Sequence, residues 1–290
     1  MNTLLKSVTI VDKTSVFHNN KVDLLIENGI ISNIDFNINN PKNYKEIDLT
    51  NLHVSRGWFD SSVCFGEPGF EERETISNGL KVASMSGFTS IALQPNTNPI
   101  SENRSQIEYI KNKSINELVE IHPIGALTKS NLELTEMYDM KNGGAICFGD
   151  YKTSITNPNT LKLALLYTAN FDGIILSFPE DKVLSNNGVM NESITSTSTG
   201  LKGSPSFSEH VQIMRDLSIL EYTGGNLHIP TISTSKSVDI IREAKKKRLN
   251  VSCSVAVHNL FFSDNNLLDF NTNFKVLPPF CLLYTSPSPR

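Results

Sequence analysis

Apolar and polar residues alternate near the start of the chain. Leu4-Leu5, Val8 and Ile10 mark one short strand, and Val22, Leu24 and Ile26 mark a second. A period of two places every other side chain on the same face of a strand. Asn28-Gly29 then offers the two positive-φ positions that a tight hairpin turn needs, and Ile30-Ile31 resumes the apolar pattern. Residues 1–52 therefore predict a small N-terminal β subdomain, with a hairpin inside 22–35.

From Gly57 the pattern changes. Short apolar runs at 88–93, 119–125, 145–148, 173–176, 227–232 and 251–255 predict strands. Helix-compatible stretches lie among them at 71–86, 161–169, 207–222 and 237–247, the last with Val238, Ile241 and Ala244 on one side. With a first strand just after Gly57, seven strands fit between residues 57 and 257. This alternation predicts an α/β fold with a parallel sheet. Seven units suit a (β/α)8 TIM-type barrel truncated before strand eight, over residues 53–280, and a doubly wound open sheet fits the count almost as well. No GxGxxG or Walker-type loop follows any strand, so nucleotide cradling has no support. The Ser/Thr patch at 193–199 reads as a loop or a helix entry.

Composition narrows the class. The 290 residues are 39% hydrophobic and 19% charged, with a net charge of −4, as expected for one large globular domain and a small appended one. The basic run from Lys245 to Arg248 closes a predicted helix, where cations complement the dipole. Nothing else basic adjoins it, so no nucleic-acid partner is expected. No apolar run approaches the ~20 residues that span a bilayer, and no signal peptide opens the chain, so a cytoplasmic protein without membrane attachment is expected. Cys64, Cys147, Cys253 and Cys281 form no CxxC pair, which argues against a zinc knuckle or a disulfide framework. Residues 281–290 follow no helix or strand logic. One translation frame of a transposase end sequence used in sequencing-library preparation yields those ten residues, so a non-native tail after Phe280 is expected.

Four segments carry a resemblance. Gly57 to Glu71 (GWFDSSVCFGEPGFE) stands beside the pattern G-x-x-D-x-H-x-H-x-R-E-P-G-x-E, and Gly87 to Pro99 (GFTSIALQPNTNP) beside G-G-F-T-x-x-x-x-M-P-N-T-x-P. A third stretch links Pro179-Glu-Asp181, Gly188 to Glu192 and Gly200 to Gly203. Tyr222 to Thr234 (YTGGNLHIPTIST) stands beside T-G-x-x-L-H-I-x-H-V-S-T. In this order and spacing the chain resembles the dihydroorotases, in the branch of cyclic amidohydrolases that includes allantoinases and hydantoinases. The resemblance implies a metal-dependent (β/α)8 barrel beside a β subdomain built by both termini.

Opening a cyclic amide near neutral pH needs a strong nucleophile and a polarised carbonyl, and a divalent metal supplies both. The resemblance places the metal's H-x-H pair at Ser62 and Cys64, the next histidine at Phe178 and the last at Thr231. None of these is an imidazole, and a serine with one thiolate does not replace two imidazoles. Asp150 falls on the first acid of F-x-D-D-G, with Tyr151 on the second, which makes Asp150 the one surviving ligand position and the one catalytic candidate. The substrate-clamping arginine falls on Gly66. Asn96 keeps a substrate-binding asparagine, and Leu277 stands where relatives place another.

Plainer roles compete at each position. Asp150 is a general base or, more simply, a cap for loop amides. Cys64 is a nucleophile or a small hydrophobe on a barrel strand. His258 is its helper or a hydrogen-bonded remnant of a His-His pair, while His228 reads as core packing, His122 as buried and His18 as exposed. The resemblance thus implies three functions. The first is a non-catalytic homologue, without cofactor, that supports aspartate carbamoyltransferase as some ligand-depleted members do, possible self-association included. The second is an active dihydroorotase with zinc in an unusual site, and the third a metal-free cyclic amidase using Cys64.

Overall fold

The computed structural model describes residues 2–40, 42–130 and 132–281. The expected non-native tail lies outside them, apart from Cys281. The chain divides into two compact units, residues 1–58 and residues 59–290.

The first unit is built on strands β1 (Thr3–Val11), β2 (Lys21–Glu27), β3 (Ile30–Asp35), β4 (Lys45–Asp48) and β5 (His53–Ser55). β1 pairs antiparallel with β2 and parallel with β4 and β5, and β2 pairs with β3 across the expected turn at Asn28 and Gly29, whose φ values are 54° and 80°. Because β5 pairs with β1, the strand array runs past residue 52. The simple alternation breaks at one place. A register shift between Leu5 and Val8, with Ser7 at φ 55°, puts Leu4 in one apolar cluster with Leu25 and Ile38, while Leu5, Val8 and Ile10 join Val22 and Leu24 in another. A bulge inserts one residue and so inverts the facing of the residues beyond it. Asp23 closes the gap: its carboxylate accepts from the Ser7 amide at 3.0 Å, the Ile38 amide at 2.9 Å and Lys6 Nζ at 2.5 Å.

The second unit alternates strands and helices. In chain order it comprises β6 (Trp58–Val63, shared with the end of the first unit), α1 (Ile76–Met85), β7 (Phe88–Leu93), α2 (Arg104–Lys113), β8 (Glu120–Gly125), α3 (Met137–Asn142), β9 (Cys147–Phe148), α4 (Pro158–Thr168), β10 (Ile174–Leu176), α5 (Lys182–Ser185), β11 (Met190–Asn191), α6 (Ile194–Thr199), β12 (Gly203–Ser204), α7 (Phe207–Thr223), β13 (Asn226–Ile229), α8 (Ser235–Lys246) and β14 (Val251–Cys253). The seven expected strands form one sheet in the order β6-β7-β8-β9-β10-β13-β14, parallel from β7 onward. Its path runs from β6 to β14 without closing, the arrangement of an incomplete (β/α) barrel. No helix among the described residues is long and apolar enough to cross a membrane.

Local chemistry explains the helix boundaries. Thr75, Asn103, Asn157 and Thr234 cap the starts of α1, α2, α4 and α8 through their side-chain oxygens, satisfying amides that have no helical partner. The Ser/Thr patch becomes α6, opened by a capping box between Ser193 and Ser196. Apolar side chains from the strands and helices then close two larger cores and a small cluster of Ala92, Ile124 and Cys147. One gathers Phe148, Leu165, Ile175, Leu227 and Ile241, and the other Ile76, Leu80, Ile91 and Ile121. Phe65 lies against the second core beside Gly79, where a Cβ would run into its ring. Glycine at this helix position is the notch that admits the aromatic side chain.

Candidate functional site

The strands deliver their C-terminal ends to one cavity of about 520 Å3. Ser62 comes from β6, Gln94 follows β7, Asp150, Tyr151 and Lys152 follow β9, Phe178 follows β10, Thr231 follows β13, and His258 follows β14. This is the end of a (β/α) barrel where functional groups collect, because the loops there are free to vary while the strands hold them.

Three of the expected ligand positions, Ser62, Cys64 and Asp150, are engaged by the protein itself. The Ser62 hydroxyl accepts from Gln94 Nε2 at 3.1 Å, and the Cys64 thiol donates to Asn96 Oδ1 at 3.4 Å. Asp150 Oδ1 accepts from the amides of Leu127 and Thr128 at 3.0 and 3.2 Å, and its Oδ2 accepts from the Thr128 hydroxyl at 2.7 Å. Burial pushes the Asp150 carboxyl pKa up, against the pull of those donors. Phe178 is buried and has no lone pair to offer, while the neighbouring Ser177 hydroxyl donates to Asp216 at 2.6 Å. Thr231 sits at φ 54°, an uncommon setting for a β-branched residue, with its amide donating to Ser254 Oγ at 3.2 Å.

The histidines fall into place around this frame. His228 is half-buried, its two ring nitrogens paired with the hydroxyls of Ser252 at 2.8 Å and Ser254 at 3.2 Å, and burial pulls its pKa down. His258 is half-buried too, but its ring packs edge-on against Phe280 at 5.4 Å and makes no hydrogen bond among the described residues, while its carbonyl accepts from the amides of Phe261 and Phe262. His122 is only half-buried, faces Glu120 at 3.6 Å and meets Phe59 edge-on. His18 is half-buried rather than exposed, with Nδ1 buried and without a hydrogen-bond partner.

A divalent ion does not fit this set. Zinc takes four tetrahedral nitrogen, sulfur or carboxylate donors, and among the described residues no three His, Cys, Asp or Glu side chains come together. Asp150 would have to release three donors to turn toward an ion. Desolvation pushes the Cys64 thiol pKa up, with the Tyr151 hydroxyl and the charges of Lys152 and Arg73 offsetting it only in part. A protonated thiol is a poor ligand and a poor nucleophile. Although Cys64 is an exposed residue, iodoacetamide at neutral pH is expected to alkylate it no faster than a free cysteine peptide. Mass spectrometry of the Cys64 peptide over time would show this, and a rate well above the peptide's would restore a nucleophilic role.

Comparison with known proteins decides the family. Residues 53–237 match the family described as dihydro-orotase-like. The chain belongs to the dihydro-orotase-like family. It is 38% identical over 281 residues to the dihydroorotase of Pelotomaculum thermopropionicum, a match that covers 96% of this chain and 65% of that protein. It is 40% identical over 283 residues to the dihydroorotase of Acetivibrio thermocellus, covering 95% of this chain and 65% of that one. The chain thus spans about two thirds of the length of these dihydroorotases. Among solved structures, the L-hydantoinase (dihydropyrimidinase) of Arthrobacter aurescens matches with a TM-score of 0.83 at 19% identity, over 98% of this chain and 64% of that one. A D-hydantoinase of Thermus sp. matches with a TM-score of 0.75 at 17% identity, over the same shares. These likenesses establish the amidohydrolase barrel fold.

Among the cavity residues not singled out from the sequence are Gln94 and Lys152. Gln94 stands where the dihydroorotase pattern has methionine, and Lys152 where F-x-D-D-G ends in glycine. Both departures bring polar groups beside Ser62 and Asp150, positions where the pattern places metal ligands, and that coincidence was the available signal.

Proposed function

We propose that the chain is a non-catalytic member of the dihydroorotase family, serving pyrimidine biosynthesis as a structural partner of aspartate carbamoyltransferase. One observation carries the reading: at the strand ends, Ser62, Cys64 and Asp150 are tied to neighbouring protein groups, and Phe178 and Thr231 offer no ligand chemistry. A metal-activated water has no holder in such a mouth, and without one an amide carbonyl meets neither a nucleophile nor a Lewis acid. The barrel and its outer surface are left, which suits a scaffold. The names of the relatives favour a second reading, an active dihydroorotase that closes and opens the dihydroorotate ring.

Elemental analysis and a ring-opening assay on the full-length protein separate the two. The expected result is zinc far below one per chain and no turnover above background, with a carbamoyltransferase co-purifying. Stoichiometric zinc with turnover would overturn the non-catalytic reading. Isolation as a lone monomer would overturn the partner role.

A further inference from the structure

Four asparagines in the chain precede a glycine: Asn28, Asn78, Asn142 and Asn187. All four are exposed, so exposure does not set them apart. In such a pair the glycine amide nitrogen can attack the asparagine Cγ, because glycine has no side chain to crowd the approach. The attack needs a free amide and a peptide plane with room to turn. At three of the pairs the fold withholds both. The amides of Gly79, Gly143 and Gly188 donate to the carbonyls of Thr75, Asp139 and Ser185 at 3.0, 3.0 and 2.8 Å. A Cβ at those glycines would meet neighbouring atoms at 2.2, 3.0 and 2.4 Å. Gly29 differs on both counts: its amide makes no hydrogen bond among the described residues, and a Cβ there would meet nothing within 4 Å. The attack also requires the turn to leave its resting backbone, with Asn28 at φ 54°. The pair sits at the tip of the β2–β3 hairpin, and β3 is an edge strand exposed at five of its six positions. A tip supported by so little buried surface opens more readily than a packed helix end.

We propose that Asn28 is a modification site, deamidated to isoaspartate by its own backbone while the other three asparagines persist. The Gly29 nitrogen gives its proton to hydroxide and bonds to Asn28 Cγ. The Cγ–Nδ2 bond breaks, and ammonia leaves with a proton taken from water. Water then adds to one carbonyl of the resulting succinimide ring and breaks that carbon's bond to the Gly29 nitrogen. Addition at the main-chain carbonyl gives isoaspartate, and addition at Cγ gives aspartate. No oxidant or cofactor takes part. Isoaspartate threads the chain through Cγ, which adds one methylene to the turn and a carboxylate beside Glu27. Its chemical class is the substrate of protein carboxyl methyltransferases that recognise isoaspartyl peptides. Asn-Gly is also the pair that a tight hairpin turn demands, so the turn carries this reactivity with it.

The test incubates the full-length protein at mildly alkaline pH in heavy-oxygen water and follows its peptides by mass spectrometry. Asn28 is expected to lose ammonia and take up one heavy oxygen about tenfold faster than Asn78, Asn142 or Asn187, a ratio set by the cost of freeing a bonded amide. An isoaspartyl methyltransferase with labelled S-adenosylmethionine is expected to mark the same peptide. In urea strong enough to unfold the chain, the four rates are expected to converge, because the pairs then differ in sequence neighbours alone. Asn28→Gly, which tolerates the left-handed turn, is expected to remove the fast product. No conversion at Asn28, equal rates at all four sites in the folded protein, a preference that survives in urea, or a fast product left in Asn28→Gly would each overturn the proposal. Heavy-oxygen uptake without methyl transfer would overturn isoaspartate as the product.

Discussion

Replacing Glu209 by alanine is expected to destabilise the protein by about 3 kcal/mol or more, because two amides and three hydroxyls lose their acceptor together. Glu209 lies on α7, almost wholly buried. Its two oxygens accept from the Ser233 amide at 3.1 and 3.0 Å, the Ser233 hydroxyl at 2.5 Å, the Thr234 amide at 3.2 Å, the Thr234 hydroxyl at 3.1 Å and the Ser237 hydroxyl at 2.5 Å. Ser233 and Thr234 belong to the turn between β13 and α8 and Ser237 to the first turn of α8, so a single carboxylate ties one helix to the start of the next. Urea unfolding of the full-length protein would measure the loss through a lower midpoint at unchanged slope. A loss below about 1 kcal/mol would show that water replaces the carboxylate, and the tie would then have no energetic weight.

The same group gives a pH signature. Burial pushes the Glu209 pKa up, and the surrounding donors only partly oppose it. With a folded value above the unfolded one, the group's contribution is complete below the unfolded pKa and is lost as pH rises through the folded value. The advantage of the unaltered protein over Glu209→Gln is therefore expected to shrink as pH rises through that window. An advantage that grows with pH instead would show that the donors outweigh burial.

The second large effect concerns Asp150. Its replacement by alanine is expected to cost about 2–3 kcal/mol, since the amides of Leu127 and Thr128 and the Thr128 hydroxyl would be left without an acceptor in a partly buried loop. Hydrogen exchange at Leu127 and Thr128 is expected to accelerate, whereas amides in the core of α7 should change far less. This outcome distinguishes a cap from a catalytic base. If Asp150 served chemistry alone, its removal would leave the loop and the unfolding midpoint in place.

Strand positions were legible because their side chains serve burial, and burial follows a period that a sequence displays. The run at 88–93 is β7, and 173–176 differs from β10 by one residue. The helix α2 was not legible: Ile107 and Ile110 are its only buried residues, and its mean polarity hides so narrow a stripe. The bulge at Ser7 was not legible either, because the carboxylate that satisfies it comes from Asp23 on the neighbouring strand. At the site, each missing imidazole can be named from the sequence, but the work of its substitute cannot. The pairing of Ser62 with Gln94, and of Cys64 with Asn96, joins residues 32 positions apart. Only the sheet brings them within reach.

The ring of Phe65 seated in the notch at Gly79 has a consequence for the residue just before it. With that ring wedged against the helix and the Cys64 thiol donating to Asn96, contacts within the protein fix the course of the chain at this strand end.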